Sequence, residues 1–285
     1  MKVRNNKLLC TTVTVLALIS INISSCTGDD TRVESSQAEF TIIGDIPPPD
    51  GFERVAVEDG SFGEYLRELP LRPNGTPVRL YDGSEKYFQS HHFRVVDMEI
   101  GDRDLLQCAD AVICLRTEYL YSLGDYDRIH FNFTSGDTAS FRNWIEGYRP
   151  KVSGNSVSWK RNQPKDSSSA ALQSYLQTVY IYAGTYSLKK ELVTIAEPDS
   201  VRIGDVFIIG GFPGHAMIVS DVCVNESTGE RAIMLVQGFT PAQDIYIVAN
   251  GTDRKINPWY IVGDGDKLDT PSWTFKWTDV RRFAE

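Results

Sequence analysis

The chain has 285 residues, 41% hydrophobic and 24% charged, with 29 Lys and Arg against 38 Asp and Glu for a formal net charge of −9. This is an ordinary globular composition, long enough for a core that folds without disulfide staples, so a small disulfide scaffold is excluded. The acidic balance leaves no clustered Lys and Arg to meet phosphate backbones, and nucleic acid is not an expected partner.

Residues 1–25 are expected to be a signal peptide. Lys2, Arg4 and Lys7 make a positive start, and residues 8–23 run without a charge, a stretch too short and too diluted by Thr, Ser and Asn for a spanning helix. Ile23-Ser24-Ser25-Cys26 resembles the bacterial lipobox, in which the Cys is lipidated and becomes the new N-terminus. Cys26 is therefore the expected lipid anchor, with the membrane as partner and the outer membrane of the cell envelope as location, on its periplasmic or its outer side. A plain cleaved signal with an incidental Cys is the alternative. Thr27-Gly28-Asp29-Asp30 resembles the acidic export tag of Bacteroidetes surface lipoproteins. Residues 26–39 are too polar to bury themselves and form a tether, which leaves 40–285 as a single globular domain, expected to be monomeric.

Within that domain, 61–69 predicts a short helix stopped by Pro70, and 78–81 a strand leaving an Asn-Gly turn at 74–75. Residues 105–123 carry the clearest helical spacing, with Asp102 or Asp104 as cap and Gly124 as stop. Residues 127–134 alternate like a strand, 140–148 are helix or loop, and 149–169 make a surface excursion with a short strand at 156–160. Residues 170–192 are mostly helical. Strand formers then run at 206–209, 215–224, 232–236 and 245–248, separated by turn-rich segments at 210–214, 225–229 and 240–243. Helices first and a meander later make an α+β domain.

Cys108, in Gln107-Cys108-Ala109-Asp110, falls in the opening turn of the central helix, where the helix dipole would lower the thiol pKa and free backbone N–H groups could hold an oxyanion. His215 opens an apolar strand after a glycine-rich turn, a place suited to proton transfer near neutral pH. Taken singly, a buried core Cys and a hydrogen-bonded structural His are equally good readings. Taken together they form the Cys/His arrangement of thiol hydrolases. Cys114 and Cys223 complete an odd number of thiols in the domain, and Cys108 and Cys114 are poorly spaced to pair on one helix. No metal spacing, phosphate loop, dinucleotide fingerprint or serine elbow is present, and neither metal nor cofactor is expected. Arg116 shares the helix face of Cys108 and is expected to be structural.

The phrase GDVFIIGGFPGHAMIV at 204–219 resembles the strand pair of the NlpC/P60 and CHAP peptidoglycan hydrolases, which share a papain-like core. More closely, QCADAV, LRTEYLY, HFNF, GHAMIV, PAQDI, PWY and SWTF resemble the Bacteroidetes lipoproteins of the domain of unknown function 4846 family, over roughly 50–283. These resemblances imply an α+β, papain-like (NlpC/P60-like) core with the helix carrying Cys108 packed on an antiparallel β-sheet. They imply Cys108 as nucleophile, His215 as general base, Gln237 as the residue orienting it, and Gln107 and Asp110 as oxyanion or groove residues. The Trp or Tyr common beside the nucleophile in those hydrolases is missing, and papain-like enzymes place the oxyanion Gln further upstream than Gln107. The function so implied is a cysteine amidase or peptidase acting on peptidoglycan-type amides. The competing expectation is a catalytically inactive envelope lipoprotein that binds glycan or protein on the same scaffold.

Overall fold

The computed structural model describes residues 39–197 and 200–284. The expected signal peptide, the expected anchor Cys26 and nearly all of the expected tether lie outside the described residues. The described residues belong to one compact unit, Glu39–Glu285, whose centre is an antiparallel sheet of nine strands. In chain order these are β1 (Glu53–Arg54), β2 (His92–Val95), β3 (Val193–Thr194), β4 (Val206–Ile209), β5 (His215–Val224), β6 (Arg231–Gln237), β7 (Tyr246–Val248), β8 (Trp259–Ile261) and β9 (Val280–Arg282). Their spatial order is β2-β7-β6-β5-β4-β9-β3, with β1 added to the far part of β5 and β8 to the near part of β6.

Among the described residues five α-helices accompany the sheet: α1 (Phe62–Arg67), α2 (Cys108–Ser122), α3 (Phe141–Ile145), α4 (Ser169–Tyr182) and α5 (Thr185–Glu191). On α2 only Glu118, Tyr121 and Ser122 escape full burial, so this helix is wrapped by the protein instead of lying on it with one greasy stripe. It packs on β5 and β6 through a core that includes Val112, Leu115, Ala216, Ile218 and Val236. The opposite face of the sheet is closed by the C-terminal segment, where Phe275 and Trp277 meet Phe207, Met217 and Leu235.

The hairpin β5–β6 decides what faces where. Met234 pairs with Asp221 but Leu235 pairs with Val219, so Ser220 is an extra residue, a β-bulge. The bulge reverses the alternation along β5. Ala216 and Ile218 lie in the helix-side core on one side of it and Cys223 on the other, while Met217, Val219 and Val222 take the opposite face. Asp221, next to the bulge and fully buried, receives Arg54 Nε and Arg67 Nε at 2.6 Å each, which ties β1 and α1 to the sheet.

Several expected elements differ. The strand at 78–81 does not form: Arg79 and Leu80 make only single bridges, to Glu85 and Gln243, although Val78 is buried. The central helix begins at Cys108 and not at Leu105, and its N-cap is Gln107. Asp104 is not the cap, because its carboxylate is engaged by Gln107 Nε2 and by the Ala242 N–H. The 170–192 helix is broken at Ala183-Gly184 into α4 and α5. The 149–169 excursion is a hairpin of two strands, Tyr148–Ser153 and Ser156–Arg161.

Gly238, just after β6, lies against the start of α2. A Cβ there would stand 2.8 Å from the Gln107 carbonyl oxygen and 3.1 Å from Ala111 Cβ. Gly238→Ala is therefore expected to push the first turn of α2 off the sheet, at a cost of about 1–3 kcal/mol. Thermal melting together with the alkylation rate of Cys108 checks this: a lower midpoint and a more accessible thiol are expected, and an unchanged pair of values would sink the idea.

Candidate functional site

At the end of the sheet where β5 begins, Cys108, Asp110, Thr185, His215, Phe239 and Trp273 are among the residues around a groove of about 490 Å³. The glycine turn before β5 delivers His215 here. Gly214 has no room for a side chain, since a Cβ would stand 2.2 Å from Thr185 Oγ1 and 2.6 Å from the Ile209 carbonyl oxygen. The Thr185 hydroxyl in turn holds the turn to α5, donating to the Gly211 carbonyl at 3.3 Å. Cys108 is the first helical residue of α2, and its thiol lies against the backbone N–H groups of Ala216 and Ala109. The thiol thus touches the amide of the residue that follows His215.

The imidazole is held from behind. His215 Nε2 and Gln237 Oε1 are 2.6 Å apart, and both residues are buried. Gln237 Nε2 donates to Tyr246 Oη at 2.6 Å and to Ser272 Oγ at 3.3 Å, and Lys86 Nζ donates to the same Tyr246 oxygen at 2.7 Å. With its amide nitrogen committed to two oxygens, Gln237 presents its carbonyl to the ring, so His215 donates from Nε2 and its Nδ1 keeps the lone pair. That is the tautomer a general base needs.

The electrostatics differ from the expectation. Trp273 stacks on His215 at 5.1 Å between centroids, Phe275 at 6.1 Å, and Phe239 meets it edge-on at 5.1 Å. Burial among these rings lowers the imidazole pKa to about 4, against the opposing hydrogen bond that His215 donates to Gln237. Burial likewise raises the Cys108 thiol to about 11 in spite of the backbone N–H groups around it. The lowered thiol pKa expected from the helix dipole is therefore corrected: desolvation outweighs the dipole for a side chain only 8% exposed. The resting pair is a neutral thiol and a neutral imidazole. Alkylation of Cys108 by iodoacetamide, which needs the thiolate, is accordingly expected to be slow at pH 7 and to rise about tenfold per pH unit up to about pH 11; a rate that levels off below pH 9 would overturn this.

Asp110 is buried at the floor of the groove. Its Oδ2 accepts the Gln107 N–H at 3.0 Å, whereas Oδ1 has no hydrogen-bond partner among the described residues. Burial raises its pKa to about 8, so a neutral acid sits beside the thiol. An acid whose folded pKa exceeds its unfolded value of 3.8 stabilises the fold fully below that value and loses the contribution as pH rises through about 8. Asp110→Asn is expected to flatten the decline of stability between pH 4 and 8, read from denaturant melts across that range; an unchanged slope would refute it.

Gln107 lines the groove with its side chain engaged at both ends. Its Nε2 is held by Asp104 and its Oε1 by the Thr240 hydroxyl. Arg116 points away from the groove into the rings of Phe62, Tyr119 and Phe283. Cys108, Cys114 and Cys223 are all free and buried, and among the described residues no group of three or more His, Cys, Asp or Glu could hold a metal ion. The aromatic wall of Phe239, Trp273 and Phe275, and the Tyr246–Lys86 support, are absent from the reading of the sequence as site residues. Tyr246 pairs directly with Gln237 across β6–β7, a relation visible only once the register is known.

The chain matches the family described as Domain of unknown function (4846) over residues 42–282. No curated protein and no solved structure matches it. The chain belongs to this family of unknown function.

Proposed function

We propose that this member of the 4846 family is a lipid-anchored protein of the cell envelope that uses Cys108, His215 and Gln237 to cleave amides of the peptidoglycan type on a papain-like core. The observation that carries the reading is the hydrogen bond from His215 Nε2 to Gln237 Oε1, which leaves Nδ1 as base in a groove shared with a thiol at the start of α2. The anchor would be Cys26, supported by the uncharged leader and the lipobox-like spacing. Among the described residues no helix is long and apolar enough to cross a membrane.

In this mechanism Cys108 Sγ attacks the amide carbonyl carbon while its proton passes to His215 Nδ1. Because thiol and imidazole are both neutral at rest, proton transfer accompanies attack and no thiolate–imidazolium pair precedes it. The new oxyanion would take hydrogen bonds from backbone N–H groups at the start of α2. The amine leaves with the proton from His215, forming a thioester that water, activated by the same imidazole, hydrolyses to free acid and thiol. Asp110, neutral at this depth, spares the site a second negative charge.

The test is digestion of purified peptidoglycan sacculi by the chain, with released amines and fragments followed by mass spectrometry. Cleavage abolished in Cys108→Ala supports the reading. A second reading, a silent binding lipoprotein, is favoured by the raised thiol and lowered imidazole pKa values. Sacculi bound equally by the parent chain and Cys108→Ala, without cleavage, would select it.

A further inference from the structure

A second cavity of about 390 Å³ lies between the start of α1, the turn before β4 and the C-terminal strand, and it shares no lining residue with the Cys108 groove. Four guanidinium side chains line it, from Arg116, Arg202, Arg231 and Arg282, against one carboxylate, Asp205, among the described lining residues. Arg282 claims that carboxylate with two bonds, Nε to Oδ1 at 2.6 Å and Nη2 to Oδ2 at 2.8 Å. In a chain of net charge −9, such a local excess of positive charge runs against the composition.

The walls are apolar where they are not basic. Phe62 and Phe283 stand over the Arg116 guanidinium, at 5.0 and 5.1 Å from their centroids. Arg231 donates from Nη2 to the Val201 carbonyl at 3.1 Å, but its Nε is buried with no hydrogen-bond partner among the described residues. A buried donor of this kind destabilises the fold unless an acceptor meets it. The volume is that of a small-molecule site. Arginine is the side chain best matched to carboxylate and phosphate oxygens.

We infer that this cavity is a binding site for a small organic anion, a carboxylate or phosphate group carried on a flat apolar body. The anionic group would meet Arg231 and Arg202, and the body would lie against Phe62 and Phe283. Arg116 sits eight residues along α2 from Cys108, about 12 Å of helix rise, so occupancy here leaves the thiol groove free.

Isothermal titration calorimetry of the purified chain tests this with four probes: phenyl phosphate, benzoate, benzylamine and inorganic phosphate. At least one of the two aromatic anions is expected to bind and benzylamine not to, and the preferred anion identifies the headgroup. Arg231→Gln and Arg202→Gln are each expected to weaken binding at least tenfold, while Cys108→Ala leaves it unchanged. Arg202 is exposed, so its variant keeps the test open should Arg231→Gln fail to fold. The inference is overturned if neither aromatic anion binds, if benzylamine binds as well, or if Arg202→Gln binds like the parent chain. Inorganic phosphate binding as tightly as phenyl phosphate, an adventitious ion only, would overturn it too.

Discussion

Cys108→Ala and His215→Ala are each expected to lower kcat/KM for peptidoglycan amides by about 10³-fold or more, about 4 kcal/mol of transition-state stabilisation. In the proposed mechanism the two residues act in one step, the thiol supplying the nucleophile and the imidazole taking its proton, so the double variant should be no worse than either single one. Gln237→Ala should cost less, about 10–100-fold: the ring loses the 2.6 Å bond that fixes its tautomer, but stays clamped by Trp273, Phe275 and Phe239. The measurement is steady-state hydrolysis of a defined muropeptide by the parent chain and the four variants. Additive losses in the double variant would show that Cys108 and His215 do not share a step. An undiminished Cys108→Ala variant would end the mechanism outright.

Asp221→Ala is expected to cost about 3–5 kcal/mol, the loss seen when one partner of a buried ion pair is removed. Asp221 has no exposed surface and binds Arg54 Nε and Arg67 Nε at once. Removing it would take the carboxylate from two half-buried guanidiniums, one from β1 and one from α1, leaving each only a backbone carbonyl, of Ile46 and of Val222. For a unit of this size the melting temperature should fall by roughly 10 °C or more. Thermal melting by circular dichroism reads the effect, and a shift within 2 °C would mean that both arginines find water or other acceptors. Because Asp221 adjoins the bulge, loosening this anchor should also reach the site: Gln237 and His215 lie on the strand segments beyond it.

How far the sequence carried can be followed residue by residue. The central helix and the four strand runs from 206 to 248 were legible because their apolar periodicity is local, and the short helix predicted over 61–69 is α1, which the structure caps with Ser61, accepting the Glu64 N–H at 3.2 Å. The failed strand at 78–81 shows the limit. Its composition suits a strand, yet neighbouring chain offers only single bridges, to Glu85 and Gln243, and a strand needs a continuous partner. The break at Ala183-Gly184 was equally hidden, since apolar spacing continues across it and the turn depends on where α5 must pack.

The sequence by itself determined the class of the domain, with a central helix carrying a cysteine in its opening turn, a meander opening at a histidine, and a glycine-rich turn before that histidine. These follow from propensity and periodicity, which act over a few residues. Only the tertiary structure decided whether the site groups meet and in which charge state. Had the pairing of Met234 with Asp221 run on without the bulge, Gln237 would stand opposite Ile218, and His215 would turn to the helix side of the sheet, away from Gln237. With the extra residue Ser220, His215 turns to the face of Gln237 and Tyr246. The helix dipole was legible at Cys108, but the depth of burial that overrides it was not, because desolvation is a sum over side chains brought from distant parts of the chain.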